Sequence, residues 1–217
     1  MEITLYGVEV SAFVAKVRIA LDWKGLAFEE RVPPGGYGSA EYRAIVPAGS
    51  VPGVVIDGRP LHGSNAILEL IEELAPAPPL LPRDKWGRAA ARALLDFHDN
   101  RVEAAARALF PLVKRDWRAE PEAVSAGLAG LDAAFARLAE LVKPAPFHLG
   151  AAPTMADLAY PVTIRMAEAL AAELGRPLAL PAKIAAWREA AEALPAVARS
   201  RGIAGAAMEA WLAGFRR

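Results

Sequence analysis

A serine hydroxyl, Ser11, opens a predicted amphipathic helix directly after the short predicted strand Ile3–Tyr6. The first turn of a helix has unpaired backbone N–H groups and a partial positive charge, which stabilise a nearby anion. A thiolate is such an anion, and a hydroxyl that donates to sulfur favours it over the thiol, whose ordinary pKa is about 8.5. Since the chain has no cysteine, any thiol at Ser11 must come from another molecule.

Two further short sequences offer groups that can hold a ligand. In Gly49-Ser50-Val51-Pro52, the residue before proline is held extended, and an X-Pro bond adopts the cis form at modest cost. Val51 can then present its N–H and C=O to a ligand. Ser64 is predicted to be the N-cap of a helix. Each feature also has a purely structural explanation, as the start of an edge strand and as a helix cap.

The elements predicted before residue 76 alternate in the order of a thioredoxin-like α/β domain. Asp57-Gly58 is a strong hairpin signal between the last two strands. The predicted strands are Ile3–Tyr6, Phe28–Val32, Val54–Ile56 and Arg59–Leu61, and the predicted helices are Ser11–Lys24, Ser39–Ile45 and Ser64–Leu74.

A proline-rich segment then separates this domain from a chain that is helical throughout. We predict an α/β domain over 1–76, a linker over 77–83 and an all-α domain over 84–217. Thr154 and Asp157 form a predicted capping box. The predicted helices are 84–114, 154–173, 181–193, 195–200 and 204–215, and a further helix has an apolar face made of Val124, Leu128, Leu131, Phe135, Leu138 and Val142.

The sequence resembles the glutathione transferase superfamily, especially its serine-dependent, zeta- and tau-like members. The resemblance spans nearly the whole chain, but its motifs are short: the strand followed by Ser-x-Phe-x-x-Lys-Val-Arg-Ile-Ala-Leu, the Val51-Pro52 step, Ser64 and the Thr154 box. It implies a thioredoxin-like domain that binds glutathione, followed by an all-α domain. It also implies a glutathione-dependent transferase acting on a small hydrophobic electrophile.

The resemblance further implies a role for individual residues. Ser11 would activate the thiolate, Val51 would pair through its main chain with the cysteinyl part of glutathione, and Ser64 would hold the γ-glutamyl carboxylate. The candidate glutathione-binding residues are Phe13, Ser50, Val51, Pro52, Gly63 and Ser64.

The sequence also departs from the superfamily's pattern. Gly49 and Ser50 replace longer polar or basic residues, and Gly63 replaces a Glu or Gln, so recognition of the tripeptide is weakened. Ala12 and Phe13 stand where zeta-like isomerases continue a Ser-Ser-Cys sequence, which argues against the isomerase role.

Two alternatives stay open. Tyr6, near the end of the first strand, is an alternative hydroxyl for thiol activation, although packing on the sheet is favoured for it. A noncatalytic scaffolding or dimerisation protein is the alternative function. An omega-like enzyme needs a cysteine in place of Ser11, and the chain has none.

Composition sets the remaining expectations. Lysine plus arginine and aspartate plus glutamate number 25 each, so neither nucleic acid nor a membrane is an expected partner. The N-terminus lacks a signal-peptide pattern and no apolar run approaches about 18 residues, which favours the cytoplasm. No metal site is predicted, because the three histidines are far apart.

We expect Lys16 and Arg18 to be solvated or paired with acids.

A homodimer is also expected from the near-zero net charge and the resemblance. Its contacts are predicted to involve the helix 84–114, with Leu95, Val102 and Leu109 marking one helical face. By periodicity alone, this face is equally suited to packing within its own domain.

Overall fold

The computed structural model describes residues 1–216; Arg217, the last residue of the predicted helical domain, lies outside the described part. Its first third is a mixed sheet flanked by helices, as expected for the thioredoxin-like fold class. The strands are β1 (Ile3–Tyr6), β2 (Glu29–Arg31), β3 (Gly53–Ile56) and β4 (Arg59–His62), and the helices are α1 (Ala12–Trp23), α2 (Ala40–Arg43) and α3 (Ser64–Leu74).

The four-stranded sheet has the order β2-β1-β3-β4. β1 pairs with β2 in parallel and with β3 antiparallel, and β3 pairs antiparallel with β4. The β3–β4 turn is the predicted Asp57-Gly58 hairpin, in which both residues have positive φ, 46° and 78°. The predicted order of elements is therefore confirmed, with ends that differ by one or two residues.

Between residues 85 and 213 the regular elements are all helical. The elements are α4 (Lys85–Phe97), a π-helical turn (His98–Val102), α5 (Glu103–Arg107), α6 (Phe110–Val113), a 3₁₀ turn (Trp117–Ala119), α7 (Pro121–Leu141), α8 (Met155–Glu173), α9 (Ala182–Glu192) and α10 (Pro195–Ala213).

Three of the predicted helices have substantially different bounds. The helix predicted over 84–114 is interrupted, because Pro111 has no N–H and clashes with the preceding turn, so the chain reforms a helix at α6. The helices predicted over 195–200 and 204–215 are one continuous helix, α10. Within this helix, a Cβ at Gly205 would lie 3.2 Å from Arg165 Nε, so the glycine allows α10 to pack closely against α8.

The face predicted for a dimer contact is buried within the subunit. Leu95, Val102 and Leu109 are at most 2% exposed and belong to the main core cluster. Their seven-residue spacing therefore reflects packing inside the helical domain, and these three side chains are not available to a partner. The apolar face predicted for α7 is confirmed as core, since its six residues are all buried.

The proline-rich segment is packed and hydrogen-bonded. Leu80 is fully buried, its N–H donates to the Glu72 carboxylate, and its carbonyl accepts from the Met155 N–H at 2.8 Å. The segment thus joins α3 to the start of α8. The bounds 1–76, 77–83 and 84–217 stay predictions. In residues 1–216, no helix combines the length and apolar character needed to cross a membrane.

Candidate functional site

The register of the sheet aligns four strand ends along one edge. Tyr6 lies opposite both Arg31 of β2 and Gly53 of β3, and Gly53 lies opposite His62 of β4. The segment leading to α1, the Val51-Pro52 step and the start of α3 each continue from a strand end in this row. The fold thereby brings Ser11, Val51 and Ser64 to the same edge of the sheet.

Ser11 is the N-cap residue of α1. Its backbone is extended (φ −76°, ψ 118°), and its Oγ accepts a hydrogen bond from the Val14 N–H at 3.3 Å. The hydroxyl is half-buried and finds no acceptor for its own proton in residues 1–216. It can therefore cap the helix and still donate to a ligand atom.

The Val51-Pro52 peptide bond is cis, as the resemblance implied. Val51 is half-buried, and neither its N–H nor its C=O has a hydrogen-bond partner within the described residues. The Tyr42 hydroxyl donates to the neighbouring Ser50 carbonyl at 3.0 Å, which fixes the approach to the step. An extended peptide can pair with Val51 as it would with an open strand edge.

The start of α3 differs from the prediction. Gly63, with φ 84°, is the N-cap, and Ser64 is the first residue of the helix and makes no capping bond. Because Gly63 has no side chain to satisfy the first-turn N–H groups, they stay available to an anion. The mostly buried Ser64 hydroxyl lies in the same first turn.

A buried polar network lies behind this edge and joins the two halves of the chain. Lys16 Nζ donates to Asn65 Oδ1 and to Asp99 Oδ1, both at 2.7 Å, and Asn65 Nδ2 donates to Asp99 Oδ2 at 3.0 Å. His98 bridges Asp99 and Thr163 with two contacts of 2.7 Å. α1, α3 and the helical domain are thus fixed to one another beside the first turn of α3.

Burial governs the charges of this network. It lowers the pKa of Lys16 and of His98 against the opposing effect of Asp99. Burial also acts to raise the pKa of Asp99, but His98 and Lys16 outweigh it and the pKa lies below its ordinary value. Asp99 is therefore a carboxylate at neutral pH, and Lys16 is its fully buried partner.

Sequence reasoning missed the role of Asp99 and Asn65. It expected Lys16 and Arg18 to be solvated or paired, and the structure shows both fully buried and paired, Lys16 with Asp99 and Arg18 with Glu30. The sequence signal for this burial was the position of Lys16 and Arg18 in the middle of a helix whose other residues are almost all apolar. A buried cation at such a position requires an acidic partner from elsewhere.

The Phe13 ring covers one side of the network. Its centroid lies 5.2 Å from Lys16 Nζ, 5.8 Å from the Arg107 guanidinium and 6.3 Å from the His98 ring. Phe13 is half-buried, two residues from Ser11. A second molecule held at Ser11 would therefore meet an aromatic face flanked by a guanidinium.

The Tyr6 ring is 6% exposed and packs against Tyr42, with ring centroids 5.5 Å apart. This burial agrees with a packing role on the sheet and leaves Ser11 as the more exposed hydroxyl. His98 and His148 are buried and His62 is exposed. In the part of the chain described, no three histidine, aspartate or glutamate side chains form a group able to hold a metal.

Comparison with known proteins identifies the family of this chain. The family described as "Glutathione S-transferase, N-terminal domain" matches residues 5–79, a range that contains the end of β1, all of β2 to β4 and the edge described above. A glutathione S-transferase of Pseudomonas putida is 31% identical over 166 residues, which is 76% of this chain and 75% of the relative. The chain belongs to the glutathione S-transferase superfamily.

Other relatives of this transferase-family chain bear isomerase names. A maleylpyruvate isomerase of Ralstonia sp. is 31% identical and aligns with 70% of this chain and 76% of its own. A crystal structure of maleylacetoacetate isomerase from Anaeromyxobacter dehalogenans, with bound GSH in the active site, is 30% identical with a TM-score of 0.64, covering 92% of this chain and 94% of that one. The predicted superfamily is thus confirmed.

Proposed function

We propose that the protein is a glutathione transferase that uses Ser11 to activate the glutathione thiol for attack on a small hydrophobic electrophile. The observation that carries this proposal is the half-exposed Ser11 hydroxyl, with its proton free to donate, on the sheet edge that also holds Val51 and the open first turn of α3. Glutathione is a co-substrate in this proposal, and no metal takes part.

In this proposal each site residue binds a different part of glutathione. Val51 pairs through its main chain with the cysteinyl part, next to the cis-Pro52. Ser64 and the free N–H groups that follow Gly63 bind the γ-glutamyl carboxylate, which is an anion at a helix N-terminus. Ser50 and Phe13 complete the walls of the site.

Activation and attack follow from the position of Ser11. The hydroxyl donates to sulfur, and the dipole of α1 adds a favourable field, so the pKa of the bound thiol falls below about 8.5 and its proton leaves to water. The thiolate then forms a carbon–sulfur bond to the electrophile, whose electrons move to its leaving group or conjugated acceptor. Serine keeps its own proton throughout.

The acceptor is placed over Phe13 and Val10, on the side of the helical domain. Both side chains are half-buried and apolar, which suits a small hydrophobic molecule. Ala12 and Phe13 still differ from the Ser-Ser-Cys sequence of zeta-like isomerases, so the isomerase names of some relatives are not transferred to this chain. A cytoplasmic location completes the proposal.

Calorimetric titration with glutathione and with S-methylglutathione tests whether the site binds the tripeptide. We expect saturable binding of both ligands with one site per chain, because the methyl group leaves the peptide contacts intact. Binding of neither would reject the transferase and favour the noncatalytic scaffolding protein. Binding without turnover of any electrophile would favour the same alternative.

We also propose a homodimer, with contacts on the exposed side of α4 in place of the buried Leu95 face. Ala90, Ala93 and Phe97 of α4 line a groove of about 640 Å³ together with Leu141 and Leu149, which are 48% and 36% exposed. The groove is mainly apolar but also has Asp96, Asn100 and Arg101 in its lining, a mixture that suits a second copy of a chain with zero formal net charge.

Light scattering should therefore report about twice the 23.0 kDa chain mass at micromolar concentration. Ala93→Glu is expected to yield the 23.0 kDa monomer, because it places a charge in the groove. Ala89→Glu is the matched control, since Ala89 is also exposed on α4 but does not line the groove, and it should stay dimeric. A monodisperse wild-type monomer would reject the dimer.

A further inference from the structure

A cavity of about 470 Å³ lies within the helical domain, and all of its lining residues follow position 116. Its walls are the 3₁₀ turn at Trp117, the first half of α7, and Arg176, which follows α8. None of the described residues on the sheet edge near Ser11 lines it. A cavity of this volume has the size of a small-molecule site, and we call it the α7 cavity.

The base and one wall of the α7 cavity are apolar. Val124 and Leu128, which are 7% and 4% exposed, form the base, and both belong to the main core cluster. The half-buried Trp117 ring forms the wall and packs against the same cluster. A Cβ added to Gly175 would lie 3.4 Å from Trp117 Cη2, so the ring rests on the turn after α8. The cavity therefore offers a fixed aromatic surface, which suits a flat aromatic ligand.

Arg176 brings to the cavity a donor that has no partner. Its Nη1 and Nη2 donate to the two carboxylate oxygens of Asp132 at 2.7 and 2.9 Å, and Nη2 also donates to the Leu128 carbonyl at 3.2 Å. These bonds hold the guanidinium plane in one orientation. Its Nε is buried and finds no acceptor within residues 1–216. Leaving a buried donor unpaired costs free energy, which an acceptor atom on a ligand would recover.

Arg118 brings an unpaired positive charge. Its guanidinium lies 4.3 Å from the centroid of the Trp117 ring, and it forms no ion pair in the described part of the chain. The nearby Glu120 carboxylate is already paired with Arg115. The described lining of the cavity thus includes two arginines and no acidic side chain. An anionic ligand that stacks on Trp117 would meet the charge of Arg118 beside the ring.

We propose that the α7 cavity is a second ligand site, separate from the glutathione site, and that it binds a planar aromatic carboxylate. The ring of the ligand stacks on Trp117, over the base formed by Val124 and Leu128. The carboxylate accepts hydrogen bonds from Arg118 and from the unpaired edge of Arg176. This inference does not rest on the proposed function, because these residues take no part in the binding of glutathione.

The test compares 2-naphthoate with 2-naphthamide, which has the same ring system but no charge. Calorimetric titrations contain S-hexylglutathione, so that the acceptor side of the proposed transferase site is occupied. Wild type should show one 2-naphthoate site per chain and bind it roughly tenfold more tightly than the amide, as befits one charge-assisted contact at an exposed group. Arg118→Gln should weaken 2-naphthoate binding by the same factor and leave the affinity for the amide unchanged.

Arg83→Gln is the control for the change in net charge. Arg83 is also exposed and has no ion pair in residues 1–216, but it lies just before α4 and does not line the cavity. This variant should bind both probes as wild type does.

Ser125→Phe tests whether the probes bind in this cavity. Ser125 is an exposed residue of α7 that lines the cavity, so the phenyl ring should fill the space and abolish binding of both probes. Ala126→Phe is the matched control, because Ala126 is the next residue of α7, is also exposed and does not line the cavity, and it should bind both probes as wild type does. Both variants should keep wild-type thermal unfolding and wild-type affinity for glutathione.

Equal affinity of wild type for the two probes would overturn the proposal, and so would 2-naphthoate binding that survives in Ser125→Phe. An equal loss for both probes in Arg118→Gln would also overturn it, since that result indicates a structural role of the arginine. Absence of 2-naphthoate binding to wild type would reject the second site and leave the transferase proposal intact. Binding of 2-naphthoate without binding of glutathione would support the second site and reject the transferase.

Discussion

Ser11→Ala is expected to lower the turnover of glutathione with a generic electrophile such as 1-chloro-2,4-dinitrobenzene by roughly 100-fold, the effect of removing one donor from a developing anion. The dissociation constant for glutathione should change by less than about threefold, because the peptide contacts at Val51 and Ser64 remain. Steady-state kinetics and calorimetry on the same preparation separate the two quantities. Loss of the cap itself costs about 1 kcal/mol of stability, which leaves the fold intact.

The pH dependence gives an independent readout. In wild type, the hydrogen bond proposed from Ser11 and the dipole of α1 are expected to lower the pKa of the bound thiol, so turnover should reach its plateau below the ordinary value of about 8.5. In Ser11→Ala the midpoint should move up toward that value, so part of the lost rate should return at high pH. A purely structural role of Ser11 would change the plateau without moving the midpoint.

Tyr6→Phe is the matched control for this assignment, since it also removes a single hydroxyl near the same sheet edge. Its ring is buried against Tyr42, and turnover should stay within about threefold of wild type. Unchanged turnover in Ser11→Ala, or an equal loss in Tyr6→Phe, would move the activation of the thiol away from Ser11.

Asp157→Ala is expected to lower the free energy of unfolding by about 3 kcal/mol, more than a helix cap alone contributes. The fully buried Asp157 carboxylate accepts from the Thr154 N–H at 2.8 Å, from the His148 N–H at 2.9 Å and from Trp187 Nε1 at 2.7 Å. The Thr154 hydroxyl also donates to this carboxylate, at 2.9 Å, so the alanine removes the acceptor of four buried donors. Thermal or urea unfolding measures the loss, and glutathione affinity should be unchanged in the folded fraction.

Thr154→Ala removes one hydroxyl, which belongs to the capping box and donates to Asp157 Oδ2 at 2.9 Å, and it should cost about 1 kcal/mol because the other donors to the carboxylate remain. Burial acts to raise the pKa of Asp157, but the His148 and Thr154 hydrogen bonds outweigh it, so the folded pKa lies below the ordinary value. The resulting stability is present above about pH 4 and is lost as pH falls through the folded pKa. Asp157→Asn should lack this part of the acid dependence. Wild-type unfolding in Asp157→Ala would contradict the role given to the carboxylate.

Local sequence determined the elements that carry the site. The local interactions of three features involve only residues a few positions away: Ser11, the Val51-Pro52 step and the Thr154 capping box. Their hydrogen bonds and backbone conformations can therefore be predicted from short motifs. The Asp57-Gly58 turn is predictable for the same reason, because positive φ restricts the residue types at those two positions. The fold class followed from the order of such elements.

Tertiary structure decided which side chains from distant elements meet. The Lys16–Asp99–Asn65 network joins residues 49 and 83 positions apart, and the Asp157–Trp187 bond spans 30. No short motif contains such partners, since they are chosen by the docking of helices. The same holds for the α4 face: the recurrence of Leu95, Val102 and Leu109 shows that one side of the chain is apolar, but the packing of the helical domain decides what covers it.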